Sequence, residues 1–407
     1  MSEKKIDIIG IGMGVCDLLT QQARLKIEQA QVIIGAKRMI ELGKRIKGDK
    51  GEFIVEISPD NILEKIRECE EGNIVVLMSG DTGFYSGAKV LSEKLEKWSV
   101  NMIPGISSLS YFCAKLGMAY EDVKVLSLHG RRGNMISYVR RNENTFILTE
   151  GNVGEICGRL LEYEFEDVQI AVGENLSYAS ERILRGKPLD FVDKSFSSTT
   201  VMLINNPAWN DRIETGISDD RFIRGNVPMT KSAVRSIVLS KLSLGEEEIA
   251  YDIGAGTGSV SVEMALCAWR GHVYAVECSH EGVKLIKENQ RKFQCDNIHR
   301  VEGMAPEVLE KLPAPDAVFI GGSRGNMDSI LQVVFQKLIN TSKACRVVWT
   351  AVTLETLTES LGMLEKWKLK KVEMLQVSTA NVKVVGNYHM LQGENPVYMI
   401  SGVMDFH

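Results

Sequence analysis

The stretch YDIGAGTGSVSVEMA, residues 251–265, constrains this chain most: an apolar run, three alternating glycines, then a helical pattern. That order fits a strand ending in a tight glycine turn that opens a helix, the first βα unit of a nucleotide-binding sheet. A related stretch, IDIIGIGMGVCDLLT, occupies residues 6–20. Elsewhere short apolar runs alternate with helical patterns almost throughout, the mark of α/β architecture with mostly parallel sheets. The first part predicts strands near 6–10, 32–35, 74–78, 100–103, 124–128, 145–149, 168–172 and 199–204. Its predicted helices lie at 20–30, 60–70, 86–97, 107–116 and 153–162. The polar, turn-rich run 206–226 reads as a linker between domains at 1–205 and 227–407. The second domain predicts strands near 249–253, 272–276, 298–301, 316–320, 345–351, 369–377 and 397–404. The last two lack a convincing helix between them, so a doubly wound sheet with an antiparallel edge is expected.

A chain of 407 residues is too long for one ordinary core, and 44% hydrophobic with 25% charged residues matches a globular protein. No apolar run is long enough to span a bilayer, and MSEKKIDIIG has no signal-peptide core, so a cytoplasmic enzyme without membrane attachment is expected. The eight cysteines form no C-x-x-C pair, which argues against a zinc ribbon, and no metal site is expected. A net charge of −5 gives no support to a broad nucleic-acid footprint.

In the second glycine loop the glycines fall at Gly254, Gly256 and Gly258, while a dinucleotide fingerprint would need one at Ser259. Asp252 would repel a pyrophosphate but suits the ammonium of S-adenosyl-L-methionine. Glu277, at the end of the next strand, stands where a carboxylate grips both ribose hydroxyls. Thr257 completes the loop, and Met304 and Ala305 end the third strand beside the expected adenine. The fourth strand runs into Gly321, Gly322, Ser323, Arg324 and Gly325: a glycine pair admits a flat substrate, and an arginine can meet a carboxylate bidentately.

Residues 220–407 resemble the C-15 methyltransferase and decarboxylase family of cobalamin (corrin) biosynthesis. The resemblance rests on VPMTKSAVRS (227–236), DIGAGTGSVSVEMA, FIGGSRGNM, WTAVTLETL (349–357) and STANVKVVGNYHML (378–391). It implies a seven-stranded Rossmann-like, class I methyltransferase domain. It also implies that Met229, Thr230 and Lys231 line the cofactor entrance, and that the 321–325 loop with Asn381 and Tyr388 borders a tetrapyrrole.

The first loop is not a dinucleotide site, because Val15 replaces the third required glycine and VIIG (32–35) ends without an acid. With LMSGDTGFYSGA (77–88), NMIPGISSLSYF (101–112), SLHGR (127–131) and SSTTVMLI (197–204), residues 5–205 resemble the tetrapyrrole methylase family, specifically its C-5 methylating members. That implies a two-lobed fold with a second S-adenosyl-L-methionine site per chain, at Gly80, Asp81, Thr82, Ser107, Ser108, Thr199 and Thr200. The family commonly has proline where Met13 stands.

Carbon methylation demands positioning and water exclusion rather than a nucleophilic triad, and none can be assembled here. His129 is the one histidine singled out; Arg131, Arg132, Arg140, Arg141, Lys231, Arg324 and Lys383 are the candidate cations for acidic substrate side chains. The expected substrate is a precorrin or cobalt-precorrin of the 6B/7 stage, methylated at C-5 and C-15 and decarboxylated at its ring C acetate, by a chain that forms a homo-oligomer. The rivals are an RNA methyltransferase (ribosomal RNA 2′-O or tRNA base), a nicotinamide oxidoreductase and a cofactor-binding scaffold. Negative charge and the absence of a basic, aromatic-rich arm weigh against RNA; Val15 and Ser259 weigh against the oxidoreductase.

Overall fold

The computed structural model describes residues 4–69, 72–128 and 133–405. The chain forms two compact units: residues 1–133, 143–158 and 166–207 make unit 1, and residues 134–142, 159–165 and 208–407 make unit 2.

Unit 1 holds two five-stranded sheets. The first consists of β1 (Lys5–Gly10), β2 (Val32–Gly35), β3 (Glu52–Val55), β4 (Asn73–Met78) and β5 (Ser99–Ile103), all parallel, in the order β3-β2-β4-β1-β5. Its central strands are apolar without alternation because both faces are covered. Ile6, Ile8, Ile74 and Val76 pack with Ile62, Ile66 and Leu91 on one face, while Ile9, Ile33, Val75 and Leu77 meet Ala23, Ile27 and Ile40 on the other.

The second sheet departs from the parallel expectation. It runs β6-β7-β10-β8-β9, from β6 (Lys124–Ser127), β7 (Asn144–Leu148), β8 (Gln169–Glu174), β9 (Arg182–Gly186) and β10 (Thr200–Asn205). Only β6 and β7 are parallel; β10 lies antiparallel between β7 and β8, and β9 returns antiparallel on β8. The short turn between β8 and β9 forces that pairing, since a parallel return needs a longer crossover.

Unit 2 is a seven-stranded sheet of order β13-β12-β11-β14-β15-β19-β16. Its strands are β11 (Ile249–Ile253), β12 (His272–Glu277), β13 (Ile298–Glu302), β14 (Ala317–Ile320), β15 (Cys345–Ala351), β16 (Lys370–Val377) and β19 (Val397–Met404). The expected antiparallel edge is present, with β19 antiparallel to both β15 and β16. Between β16 and β19 lies a separate hairpin, β17 (Ala380–Val385) with β18 (Tyr388–Gly393), every residue of which is exposed. Alternation again builds two cores: Ala250 and Phe319 face the helices at Ser232–Leu242 and Ser259–Cys267, whereas Tyr251 and Val318 face the helix at Met327–Thr341. Among the described residues no helix is long and apolar enough to cross a membrane.

Candidate active site

Unit 2 carries a cavity of about 460 Å³ at the carboxyl ends of β11, β12 and β14. It is lined by Pro228, Gly254, Gly256, Glu277, Met304, Ala305, Gly321, Gly322, Ser323 and Arg324, among others. Gly254 (φ +74°) lets the two loops that wall the cavity approach closely, because a Cβ there would lie 2.8 Å from the backbone nitrogen of Gly322. The two glycine stretches read separately in the sequence are thus packed backbone to backbone.

Glu277 is buried at the end of β12. Its Oε2 accepts from the Gly256 N–H at 2.8 Å and its Oε1 from the Ser279 N–H at 2.8 Å. These bonds fix both oxygens at the cavity wall, with acceptor capacity left for ligand hydroxyls. Beneath the loop, Asp252 and Thr257 are fully buried, and Asp252 Oδ1 and Thr257 Oγ1 have no hydrogen-bond partner. The Ser261 hydroxyl donates to the other Asp252 oxygen. A buried carboxylate oxygen without a partner, next in sequence to the lining residue Ile253, and a glutamate with spare acceptor capacity at the cavity wall fit a cationic nucleoside such as S-adenosyl-L-methionine.

Burial raises the Asp252 carboxyl from its ordinary 3.8 to about 7, with the Glu277 charge adding to the rise. Ligand-free unit 2 therefore binds a proton that its unfolded chain releases between about pH 4 and 7, so its stability falls as pH climbs through that window. Thermal unfolding between about pH 5 and 7.5 should show a decline of a few degrees that Asp252→Asn flattens. An equally steep decline in the variant would assign it to other groups.

The remaining unit 2 residues are placed as follows. Asn326 Nδ2 donates to the Ala305 carbonyl at 3.2 Å, tying the third-strand loop to the fourth. Arg324 lines the cavity at φ +49° and has no carboxylate partner among the described residues. Thr230 gives its carbonyl to Arg235, and Lys231 stands 4.0 Å from Asp219; their neighbours Asn226, Val227 and Pro228 reach the cavity wall, and Met229 packs on the core. Asn381 and Tyr388 lie on the exposed hairpin with Lys383 and His389. Asn381 bonds Glu394 at 2.9 Å, and neither Asn381 nor Tyr388 shares a hydrogen bond with the 321–325 loop among the described residues. Arg140 and Arg141 sit in the helix Met135–Arg141 of unit 2, Arg141 stacked 4.8 Å over the Trp269 ring, away from the cavity lining.

In unit 1 three loops meet at the carboxyl ends of β1, β4 and β5. Gly12 and Gly80 exchange backbone hydrogen bonds of 3.0 and 2.9 Å. The Gly12 N–H that a phosphate would need is therefore already engaged. Asp81 organises the second loop, accepting from Gly105 N at 3.0 Å and from Gly83 N at 2.8 Å, with Thr82 between Asp81 and Gly83 in sequence. Ser107 caps the helix that begins at Ser108, accepting from Ser110 N at 3.1 Å. Thr199 bonds Asn175 Oδ1 at 2.7 Å, and Thr200, buried, bonds the Ser197 carbonyl at 2.8 Å. Ser177 Oγ donates to the Met13 carbonyl at 3.3 Å, so the loop after β8 rests on the first glycine loop. His129, Arg131 and Arg132 lie outside the described residues.

One structural pair went unread in the sequence. Arg235 and Glu263, both with fully buried side chains, form an ion pair of 2.8 Å that carries the approach to the cavity. The available signal was a single glutamate inside the apolar helix SVSVEMALC.

The profile of the tetrapyrrole (corrin/porphyrin) methylases matches residues 5–189, and that of the precorrin methyltransferase domain matches residues 221–403. A precorrin-6Y C(5,15)-methyltransferase (decarboxylating) from Sinorhizobium sp is 28% identical over 86% of this chain and 85% of its own length. A probable cobalt-precorrin-6B C(15)-methyltransferase (decarboxylating) from Pyrobaculum calidifontis is 39% identical over 46% of this chain and 94% of its own. A crystal structure of a precorrin-6Y C5,15-methyltransferase from Geobacter metallireducens covers 47% of this chain and 98% of its own, at 38% identity and a TM-score of 0.43.

Proposed function

Because this chain belongs to the family of decarboxylating precorrin-6Y C5,15-methyltransferases, a tetrapyrrole methylase domain fused to a precorrin methyltransferase domain, we propose a division of its chemistry between the two units. The chain is a bifunctional, decarboxylating C-methyltransferase of cobalamin biosynthesis. Unit 2 performs the C-15 methylation and the decarboxylation; unit 1 performs the C-5 methylation. Each unit takes its own S-adenosyl-L-methionine, which supplies an electrophilic methyl group on a sulfonium. The wholly exposed hairpin β17–β18, with Val382, Val384, Tyr388 and Leu391 on its surface, supports self-association of the chain.

The observation that carries this reading is the two-ended cavity of unit 2. At one end Glu277 presents a carboxylate to vicinal hydroxyls, and the strand that precedes the loop carries the orphaned Asp252 oxygen. At the other, Gly321 and Gly322 leave room for a flat ring, and Arg324, which has no carboxylate partner among the described residues, meets an acidic substituent on it. The protein need not supply a nucleophile, since an electron-rich ring carbon attacks directly. Its residues orient that carbon and keep water away. In unit 1 the Asp81-braced loop and the capped helix at Ser108 form the corresponding cofactor wall.

Mass analysis of the product from precorrin-6Y or its cobalt form should find two methyl groups gained and one carboxyl lost. One methyl with the carboxyl lost would confine activity to unit 2. No change with either substrate would overturn the reading and turn attention to RNA.

A further inference from the structure

We propose that Arg38 is a carboxylate-binding residue of the first site, receiving one acidic side chain of the tetrapyrrole; this rests on the assignment of C-5 methylation to unit 1. Arg38 lies in the first turn of the helix Lys37–Lys47, directly after β2. It therefore stands at the carboxyl end of the parallel sheet, where open α/β sheets receive their ligands.

Its guanidinium is pinned from two sides. Nη2 donates to Ser79 Oγ at 2.7 Å, on the loop after β4, and Nη1 reaches the Tyr178 hydroxyl at 3.5 Å, on the loop after β8. Both partners are neutral, and no carboxylate lies within ion-pair distance among the described residues. The local rule runs against this placement. The first turn of that helix holds no acidic residue, and a helix start disfavours cations. Arg38 and both of these contacts are exposed, so water compensates its charge at present, and a ligand carboxylate that arrives at this end of the sheet can take the water's place on a guanidinium already held in position. Two of its N–H groups are engaged and the rest are left to grip an oxyanion.

The first glycine loop serves the same arrangement. Gly14, at φ +91°, leaves free the space where a Cβ would meet the Tyr178 hydroxyl, so glycine there lets Tyr178 reach over the loop towards Arg38 without moving aside. With the Gly12 N–H engaged by Gly80, the loop itself does not offer that amide to an anion, and the task falls to a side chain.

The test uses the full chain and follows each methylation separately by product mass. Arg38→Gln should raise KM for the C-5 step about tenfold or more, the worth of a charge-assisted hydrogen-bonded pair, with kcat within about twofold. Arg38→Lys should recover part of the loss and Tyr178→Phe should show a smaller rise. C-15 methylation on the same chain should be unchanged, and the retained kcat of the C-5 step excludes misfolding of unit 1. An unaltered C-5 KM in Arg38→Gln would overturn the proposal. A wild-type chain that methylates C-15 but never C-5 would instead remove the assignment of unit 1, and the proposal with it.

Discussion

Replacing Glu263 by Gln is expected to lower the thermal midpoint of unit 2 by about 10 °C, from a loss of about 3–5 kcal/mol. Arg235 and Glu263 are both without solvent exposure. Glu263 does more than neutralise a charge: Oε2 accepts from Gly216 N at 2.8 Å, and Oε1 accepts from Ile217 N at 3.0 Å and from Arg235 Nε at 2.8 Å. Arg235 in turn donates to Asp219 at 2.8 Å and to the carbonyls of Ile217 and Thr230. One buried pair thus fastens both 216–219 and the 227–231 approach to the cavity. An amide at 263 keeps one acceptor and turns its NH2 either on the Gly216 N–H or on the Ile217 N–H and the guanidinium together. The Arg235→Met, Glu263→Leu double variant should recover part of the loss, since apolar volume replaces the charges, but not the part due to the Gly216 and Ile217 amides. Calorimetric unfolding decides this; a single variant as stable as the parent would mean that the charges are not compensating one another.

Glu277→Ala should leave the chain folded yet weaken S-adenosyl-L-methionine at unit 2 about 100-fold, the worth of hydrogen bonds from two hydroxyls to one carboxylate. The same change frees the N–H groups of Gly256 and Ser279, so the loop that shapes the cavity loosens as well. Titration calorimetry on the whole chain should show two binding events in the parent and one in the variant at moderate ligand concentration. C-15 methylation and carboxyl loss should disappear together while the C-5 methyl is still added. Unchanged affinity would place the ribose elsewhere.

The features most legible in the sequence were those set by burial on both faces. NIVVLM became β4, covered by helices on each side. The glycine stretch at 251–265 became strand, turn and helix because three left-handed glycines leave little else for it to do. What escaped was decided by tertiary contact. EFIV (β3) and RILRG (β9) are half-exposed edge strands with too little apolar pattern to stand out. The helix Lys37–Lys47 was hidden by Gly43, which its packing near Ile33 and Phe53 tolerates. The hairpin β17–β18 carries apolar residues on exposed positions, so burial could not announce it. In the site, Glu277 and the Gly321–Gly322 pair were readable from their places at strand ends. Arg38, Ser79 and Tyr178 were not, because they meet only after three distant loops converge.

The composition of unit 2 bears on how this chain could ever be divided. Its backbone changes unit at 133/134, 142/143, 158/159, 165/166 and 207/208. Asp296, almost wholly buried, is satisfied by the amides of Ile136 and Ser137 and by Arg159, all from the two early excursions. A protease nick in the 206–226 stretch would therefore not release two self-sufficient pieces. The later fragment would carry a naked carboxylate where a helix had been, and the earlier one would trail two segments with no home. For this chain the two methylations are inherited as one object, and splitting its gene would require a repaired surface at Asp296 before either half stood alone.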